Sequence, residues 1–173
     1  MTQCLDGCPL EDVQRDVRSP GPVEANELVA RASYDPRHYK KNKVQSSVIR
    51  ATDLFAGTLS VWRVSGKASM TLPGLSAKLQ ADCEPGQTIK ALHPVSVDQI
   101  RRMKTEDKQS RLFCVVDECD VDDQGGHHHA HAHIRICDHL KAQMPDMDCD
   151  LFRYAKSALV QAAKANQVAH PAK

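Results

Sequence analysis

Two strand-like segments joined by an acidic, glycine-ended turn constrain the fold of this chain most strongly. The first, residues 111–117, is apolar on both faces, which is typical of a central strand. The second, residues 128–136, alternates small apolar and polar residues, as a strand with one buried face does. Acidic residues dominate the turn, which ends at Gly125-Gly126. We expect the two segments to pair antiparallel and the acidic turn to be solvated.

The remaining segments complete an α+β pattern. Ser96, followed three residues later by Gln99, predicts a capping box that opens a helix running to about Lys104. Apolar residues at helical spacing predict an amphipathic helix from Asp148 or Asp150 to about Gln167. The other predicted elements are short helices at 23–32 and 75–83 and strands at 45–49, 58–64 and 88–92. The predicted fold is α+β, with an antiparallel-rich sheet, peripheral helices and a C-terminal amphipathic helix.

The length of 173 residues fits one compact domain. Residues 1–22 are polar and end in a Pro- and Gly-rich stretch, so we interpret them as an N-terminal arm that is mobile or bound to a partner. Residues 23–167 form the single α+β domain, and residues 168–173 form a polar tail.

The second strand carries an unusual set of histidines. Strand alternation places His129, His131, His133 and Arg135 on one face, and small apolar residues on the other. Histidines two residues apart lie about 6.5–7 Å apart along the strand and can tilt toward one metal ion, zinc or another divalent cation. The alternative is a polar face exposed to water. The sequence leaves both interpretations open.

The run from His129 to Ile134 is similar to the histidine triad of nucleotide hydrolases and transferases. The resemblance implies that His131 is the nucleophile toward an α-phosphate and that His129 and His133 support it. The match covers about ten residues, and Arg135 stands where that family usually has a proline soon after the triad.

A longer resemblance rests on four stretches of the chain, which are residues 31–36, 46–50, 59–63 and 130–132. In this order they look like a group of short, uncharacterised bacterial proteins. The resemblance implies a bacterial, cytosolic origin and identifies His131 as the fixed element of the histidine strand. It implies no activity.

The seven cysteines are odd in number, scattered and without a C-x-x-C pair. No secretory signal accompanies them, so we expect reduced thiols in a cytoplasm and no disulfide framework. No apolar run approaches the roughly 20 residues of a membrane span, so we expect no membrane association.

Charge is segregated along the chain. The formal net charge of +1 and the low aromatic content give no support for nucleic-acid binding. One basic stretch, residues 31–50, stands out within this balance. The residues predicted to bind an anion or a partner are Arg37, Lys40, Lys41, Lys43, Arg50 and Arg63.

Two functions from different classes follow. The leading hypothesis is a small cytoplasmic bacterial accessory or binding module that acts through a protein partner. The alternative is a metal-dependent or histidine-triad-like hydrolase of phosphoesters or nucleotides. In that enzyme His131 is catalytic, and His129, His131 and His133 bind the metal.

Overall fold

A computed structural model describes residues 8–14, 19–68, 70–118, 120–121, 127–128 and 130–169. The strands are β1 (Leu28–Asp35), β2 (Tyr39–Lys40), β3 (Lys43–Val44), β4 (Leu59–Val64), β5 (Thr88–Ser96), β6 (Phe113–Asp117), β7 (Asp120–Val121), β8 (His127–His128), β9 (His131–Ile136) and β10 (Val168–Ala169). The helices are α1 (Ala51–Ala56), α2 (Leu72–Ala81), α3 (Val97–Arg101), α4 (Asp138–Lys141) and α5 (Asp150–Ala165), with short 3-10 turns at Ser46–Val48 and Gly66–Ala68.

Six strands form one antiparallel sheet in the order β10-β5-β1-β4-β9-β6. Two short hairpins, β2–β3 and β7–β8, lie outside it. The predicted fold class is confirmed, and so is the antiparallel pairing of the two segments around the acidic turn, which are β6 and β9. The tail predicted at 168–173 begins with β10, which pairs with β5.

The main core lies between one face of the sheet and α5. Ala132, Ile134 and Ile136 of β9 pack in the same cluster as Phe152 and Leu159 of α5. This confirms the predicted amphipathic C-terminal helix and the predicted buried face of β9. The predicted aspartate cap of α5 is wrong, because Cys149 occupies the cap position and its side chain makes no capping hydrogen bond.

The opposite face of the sheet is covered in two parts. Over β1 and β5, Leu75 and Leu79 of α2 pack against Ala30, Ala32 and Leu92. Over β6, Cys8 and Leu10 of the N-terminal segment, which is residues 8–14, form a second, smaller cluster with Cys114, Val116 and Cys137. The histidine side of β9 belongs to this face of the sheet.

The helix predicted at 23–32 is wrong, because residues from Leu28 onward form β1. The segment contains good helix formers, but β1 lies between β4 and β5 and is buried on both faces. Tertiary pairing therefore overrides the local helical preference.

One strand prediction is wrong, and a second strand is longer than predicted. The segment predicted as a strand at 45–49 contains the 3-10 turn Ser46–Val48 instead. The strand predicted to end before His93-Pro94 continues to Ser96. A proline has no backbone N–H to donate, and β5 tolerates Pro94 because the described pairs of β10 reach only Ala91 and Leu92.

The prediction that residues 111–117 form a central strand is wrong in position, because β6 lies at the edge of the sheet. Its residues are nevertheless fully buried, since the N-terminal segment covers it. Glu11, 6% exposed, accepts hydrogen bonds from the Val115 backbone N–H at 2.6 Å and from the Arg111 guanidinium. Cys8 and Glu11 of the predicted arm are thus buried against the domain, whereas residues 12–14 are exposed.

A disulfide joins Cys8 of this segment to Cys114 of β6. The expectation that the cysteines are all reduced is therefore wrong for this pair. Local spacing carries no signal for it, because the two residues are 106 positions apart and meet only when the segment folds over β6. None of the helices in the described residues has the length and apolar character that a membrane crossing needs.

Candidate functional site

The histidine strand β9 pairs with β4 in the sheet. His131 lies opposite Trp62, and His133 lies opposite Ser60, so all four side chains share one face of the sheet. The rings of His131 and His133 lie 5.2 Å apart, edge to face. His129, the third predicted ligand, lies outside the described residues.

His131 is almost completely buried, at 2% exposure. Its Nε2 shares a hydrogen bond with the Ser60 hydroxyl, and its ring lies edge-on to Trp62 at 5.6 Å. His133 is more open, with Glu118 Oε2 3.9 Å from its Nδ1. The predicted catalytic residue is thus paired with a hydroxyl, and its neighbour lies beside a carboxylate.

The metal prediction remains a prediction. Among the residues that the structure describes, no three histidine, cysteine, aspartate or glutamate side chains are placed to share one ion. The structure brings His131 and His133 together, but the predicted three-histidine metal site also needs His129, which lies outside the described residues.

A cavity of about 270 Å³ lies beside the Ser60–His131 pair, between β1, β4 and α2. We call it the arginine cavity. Its walls are formed by Arg31, Ala32, Tyr34, Arg37, His38, Ser60, Trp62 and Leu79.

Arg31 is held firmly in the wall of this cavity. Its Nη1 donates to the Ser60 carbonyl at 2.6 Å and its Nε to the Val48 carbonyl at 3.2 Å. Asp53 Oδ2 lies 3.8 Å from Nη2, a loose ion pair that leaves the guanidinium only partly neutralised. Burial lowers the pKa of Arg31, but a guanidinium remains charged at neutral pH.

His38 adds a neutral donor to the cavity. Its Nδ1 accepts a hydrogen bond of 3.1 Å from the Tyr34 backbone N–H, which places the ring proton on Nε2. Burial, followed by the positive charges of Arg31 and Arg37, lowers the pKa of His38 to about 4. Burial also raises the pKa of Tyr34, whose hydroxyl therefore keeps its proton. The polar wall is rich in donors and suits an anion.

A basic hairpin, formed by β2 and β3, begins directly after His38 of the cavity wall. Lys41 and Asn42 join β2 to β3 with φ angles of 51° and 60°, the left-handed conformations of a type I′ turn. The predicted partner-binding residues on this hairpin and in the segments that flank it, which we call the basic hairpin surface, are all exposed: Arg37, Lys40, Lys41, Lys43 and Arg50. Arg37 belongs to both this surface and the wall of the arginine cavity.

Arg63, which the sequence groups with these cations, lies elsewhere and is completely buried. Its guanidinium donates to both carboxylate oxygens of Glu27, at 2.7 and 2.9 Å, and to Asp117 at 2.8 Å. Asp117 also accepts a hydrogen bond from the Ser19 hydroxyl. Arg63 is therefore occupied by carboxylates of the chain itself, and Asp117, at the start of the acidic turn, is buried rather than solvated.

Sequence reasoning missed most of the cavity wall. Alternation along residues 58–64 was enough to place Ser60 and Trp62 on one face of a strand. No local pattern indicates that His38, in the turn after β1, reaches the same place. Comparison with protein-family models, with curated proteins and with solved structures yields no match to this chain.

Proposed function

We propose that this protein is a binding module that recognises an acidic segment of a protein partner. The observation that supports the proposal is that the donor-rich arginine cavity lies next to the exposed basic hairpin surface. The two features share Arg37. A partner can therefore be attracted by the hairpin and anchored in the cavity.

The local charge favours an anionic partner. The carboxylates near the surface are engaged by the chain: Asp53 lies 3.6 Å from Arg50, and Asp35 lies 3.4 Å from Lys90. The three hairpin lysines, Lys40, Lys41 and Lys43, are exposed, so their positive charge faces solvent. Such a surface speeds the encounter with an acidic partner and makes binding sensitive to salt.

The size of the cavity indicates what would enter it. Pockets for drug-sized ligands typically span about 300–1,000 Å³, so a cavity of about 270 Å³ fits a small acidic group, such as one side chain of a partner. A glutamate or aspartate of the partner would accept hydrogen bonds from Arg31 and from Nε2 of His38. Trp62 and Leu79 provide apolar contact for its methylene groups.

Charge reversal tests the proposal. The variant Lys40→Glu, Lys41→Glu, Lys43→Glu is compared with wild type in a tagless pull-down at low salt from the cells that produce the protein. We expect wild type to recover a stoichiometric acidic partner and the triple variant to lose it. A matched control reverses three other exposed lysines, Lys104, Lys108 and Lys164, with the same change in net charge. Recovery of wild type alone, or equal loss in the control, would contradict the proposal.

A second function is favoured by one specific contact. The Ser60 hydroxyl is hydrogen-bonded to Nε2 of His131, and Ser60 also lines the arginine cavity. Histidine can act as a general base toward such a hydroxyl, and Arg31 would stabilise charge on a bound phosphate. The alternative proposal is therefore a phosphoester hydrolase with His131 as its catalytic residue, either directly or through Ser60.

Turnover separates the two proposals. Wild type is assayed with p-nitrophenyl phosphate and bis(p-nitrophenyl) phosphate, with and without added zinc, beside His131→Ala and Ser60→Ala. The enzyme proposal requires activity that both variants lose and that Ser157→Ala, an exposed serine on α5, retains. Absence of turnover in wild type, or unchanged rates in His131→Ala, removes it.

A further inference from the structure

Three cysteine sulfurs meet beneath the N-terminal segment. Cys8 and Cys114 form the disulfide, and Cys137 carries a thiol whose Sγ lies 3.4 Å from Sγ of Cys114. All three residues are buried, at 4%, 1% and 0% exposure, in one small apolar cluster. Thiol–disulfide exchange proceeds by attack of a thiolate on a disulfide sulfur, and this contact brings the two groups together.

The sheet explains why Cys137 is there. Cys114 lies directly opposite Arg135 in the β6–β9 register, and Cys137 follows Arg135 by two residues. Residues two apart in an extended chain project to the same side, so Cys137 is a diagonal neighbour of Cys114. The backbone N–H of Cys137 donates to the Leu112 carbonyl at 3.0 Å, which holds it against β6.

We propose that Cys137 exchanges with the Cys8–Cys114 disulfide, so that the chain interconverts between two disulfide isomers. The Cys137 thiolate attacks Sγ of Cys114 and forms a Cys114–Cys137 bond. The Cys8–Cys114 bond breaks, its electron pair remains on Sγ of Cys8, and Cys8 takes up the proton that Cys137 lost. One disulfide and one thiol are present before and after, so the step requires no external oxidant or reductant.

The distance that must be closed is small. A disulfide bond is about 2.05 Å long, so the two sulfurs must approach by about 1.4 Å from 3.4 Å. Because Cys8 is the leaving group, exchange changes how the N-terminal segment is held. Residues 8–14 are covalently tied to β6 in one isomer. In the other they are held by the contacts of Glu11 with Arg101, Arg111 and Val115.

Exchange therefore determines how firmly the N-terminal segment covers the edge of β6. The Val115 N–H, which Glu11 caps, is an unpaired edge donor once the segment lifts away. The site is thus a switch between a tethered and a releasable cover over this strand, and it operates independently of the basic hairpin surface.

Disulfide mapping tests the proposal on the full-length chain. Trypsin cleaves on the carboxyl side of lysine and arginine, so it separates the three cysteines into peptides 1–15, 112–135 and 136–141. A background with Cys4→Ser and Cys119→Ser makes each peptide report one sulfur. The protein is held at about pH 8.5, near the ordinary thiol pKa, and then quenched with acid and alkylated with N-ethylmaleimide before digestion.

We expect two linked pairs from the background protein, 1–15 with 112–135 and 112–135 with 136–141. Adding Cys137→Ser should leave only the first pair, and adding Cys8→Ser only the second. Adding Cys149→Ser, a half-buried cysteine outside the cluster, should leave both pairs. Only the first pair after prolonged incubation, or fully alkylated cysteines without any linked pair, would overturn the proposal.

A second readout follows the consequence for β6. In hydrogen exchange, the Val115 amide should exchange faster in the Cys8→Ser protein than in the Cys137→Ser protein, because only the latter keeps the segment tethered. Equal protection in these two matched variants would overturn the proposed role as a switch of the edge cover.

Discussion

His38 is expected to make the fold less stable as the pH falls. It is 5% exposed, and burial, followed by the nearby charges of Arg31 and Arg37, lowers its pKa from 6.5 to about 4. Between these two pH values the unfolded chain binds a proton at this position that the folded chain does not. The stability that the neutral ring contributes is therefore complete above about pH 6.5, is lost progressively toward pH 4, and changes no further below it.

The size of the effect follows from the two pKa values. Each pH unit changes the free energy of unfolding by about 1.4 kcal/mol per proton, so the full window is worth about 3 kcal/mol. At about pH 4.5 most of this loss, about 2.5 kcal/mol, has already occurred. That is a large fraction of the roughly 5–15 kcal/mol by which a domain is usually stable.

The variant His38→Asn isolates this contribution. An Asn side chain retains an oxygen near the position of Nδ1, which can accept the hydrogen bond from the Tyr34 N–H, but it does not titrate. Urea unfolding, followed by the fluorescence of the single tryptophan, Trp62, is measured near pH 7 and near pH 4.5 for both proteins. The other titrating groups, His93 included, are common to both and cancel in the difference.

We expect wild type to lose about 2–3 kcal/mol more than His38→Asn between the two pH values. If both proteins lose the same amount, the neutral buried state of His38 does not determine the pH dependence, and the description of the cavity as a donor-rich site with a neutral His38 fails with it.

Two further predictions concern stability. Arg63→Met leaves the buried carboxylates of Glu27 and Asp117 without their cation, so we expect a loss of about 3–5 kcal/mol, seen as a melting temperature lower by about 6–20 °C. Arg153→Met, which removes an exposed arginine paired with Asp150, should leave the melting temperature unchanged, and equal effects would contradict this reasoning. Leu159→Ala, in the face of α5 that packs on the sheet, should cost about 2–5 kcal/mol in urea unfolding, whereas a loss below about 1 kcal/mol would show that this face is not packed as described.

The candidate site was predictable in part. His131 and His133 share a face because a strand alternates, and that alternation is visible in the residues. Their neighbours were not predictable, because Ser60 lies 71 positions from His131 and meets it only through the β4–β9 pairing. Arg63 illustrates the same limit: a strand arginine looks like a surface cation until Glu27 and Asp117 are brought around it.

By itself, the sequence determined the features that depend on neighbouring residues. These are the antiparallel pair around the acidic turn, the apolar face of β9 and the amphipathic helix α5, because periodicity reports directly which side of an element is buried. The tertiary structure alone decided which elements became neighbours. It turned residues 28–32, the second half of the helix expected at 23–32, into part of strand β1, placed β6 at the covered edge, and joined Cys8 to Cys114. These outcomes depend on pairing and burial between distant segments, for which local spacing carries no signal.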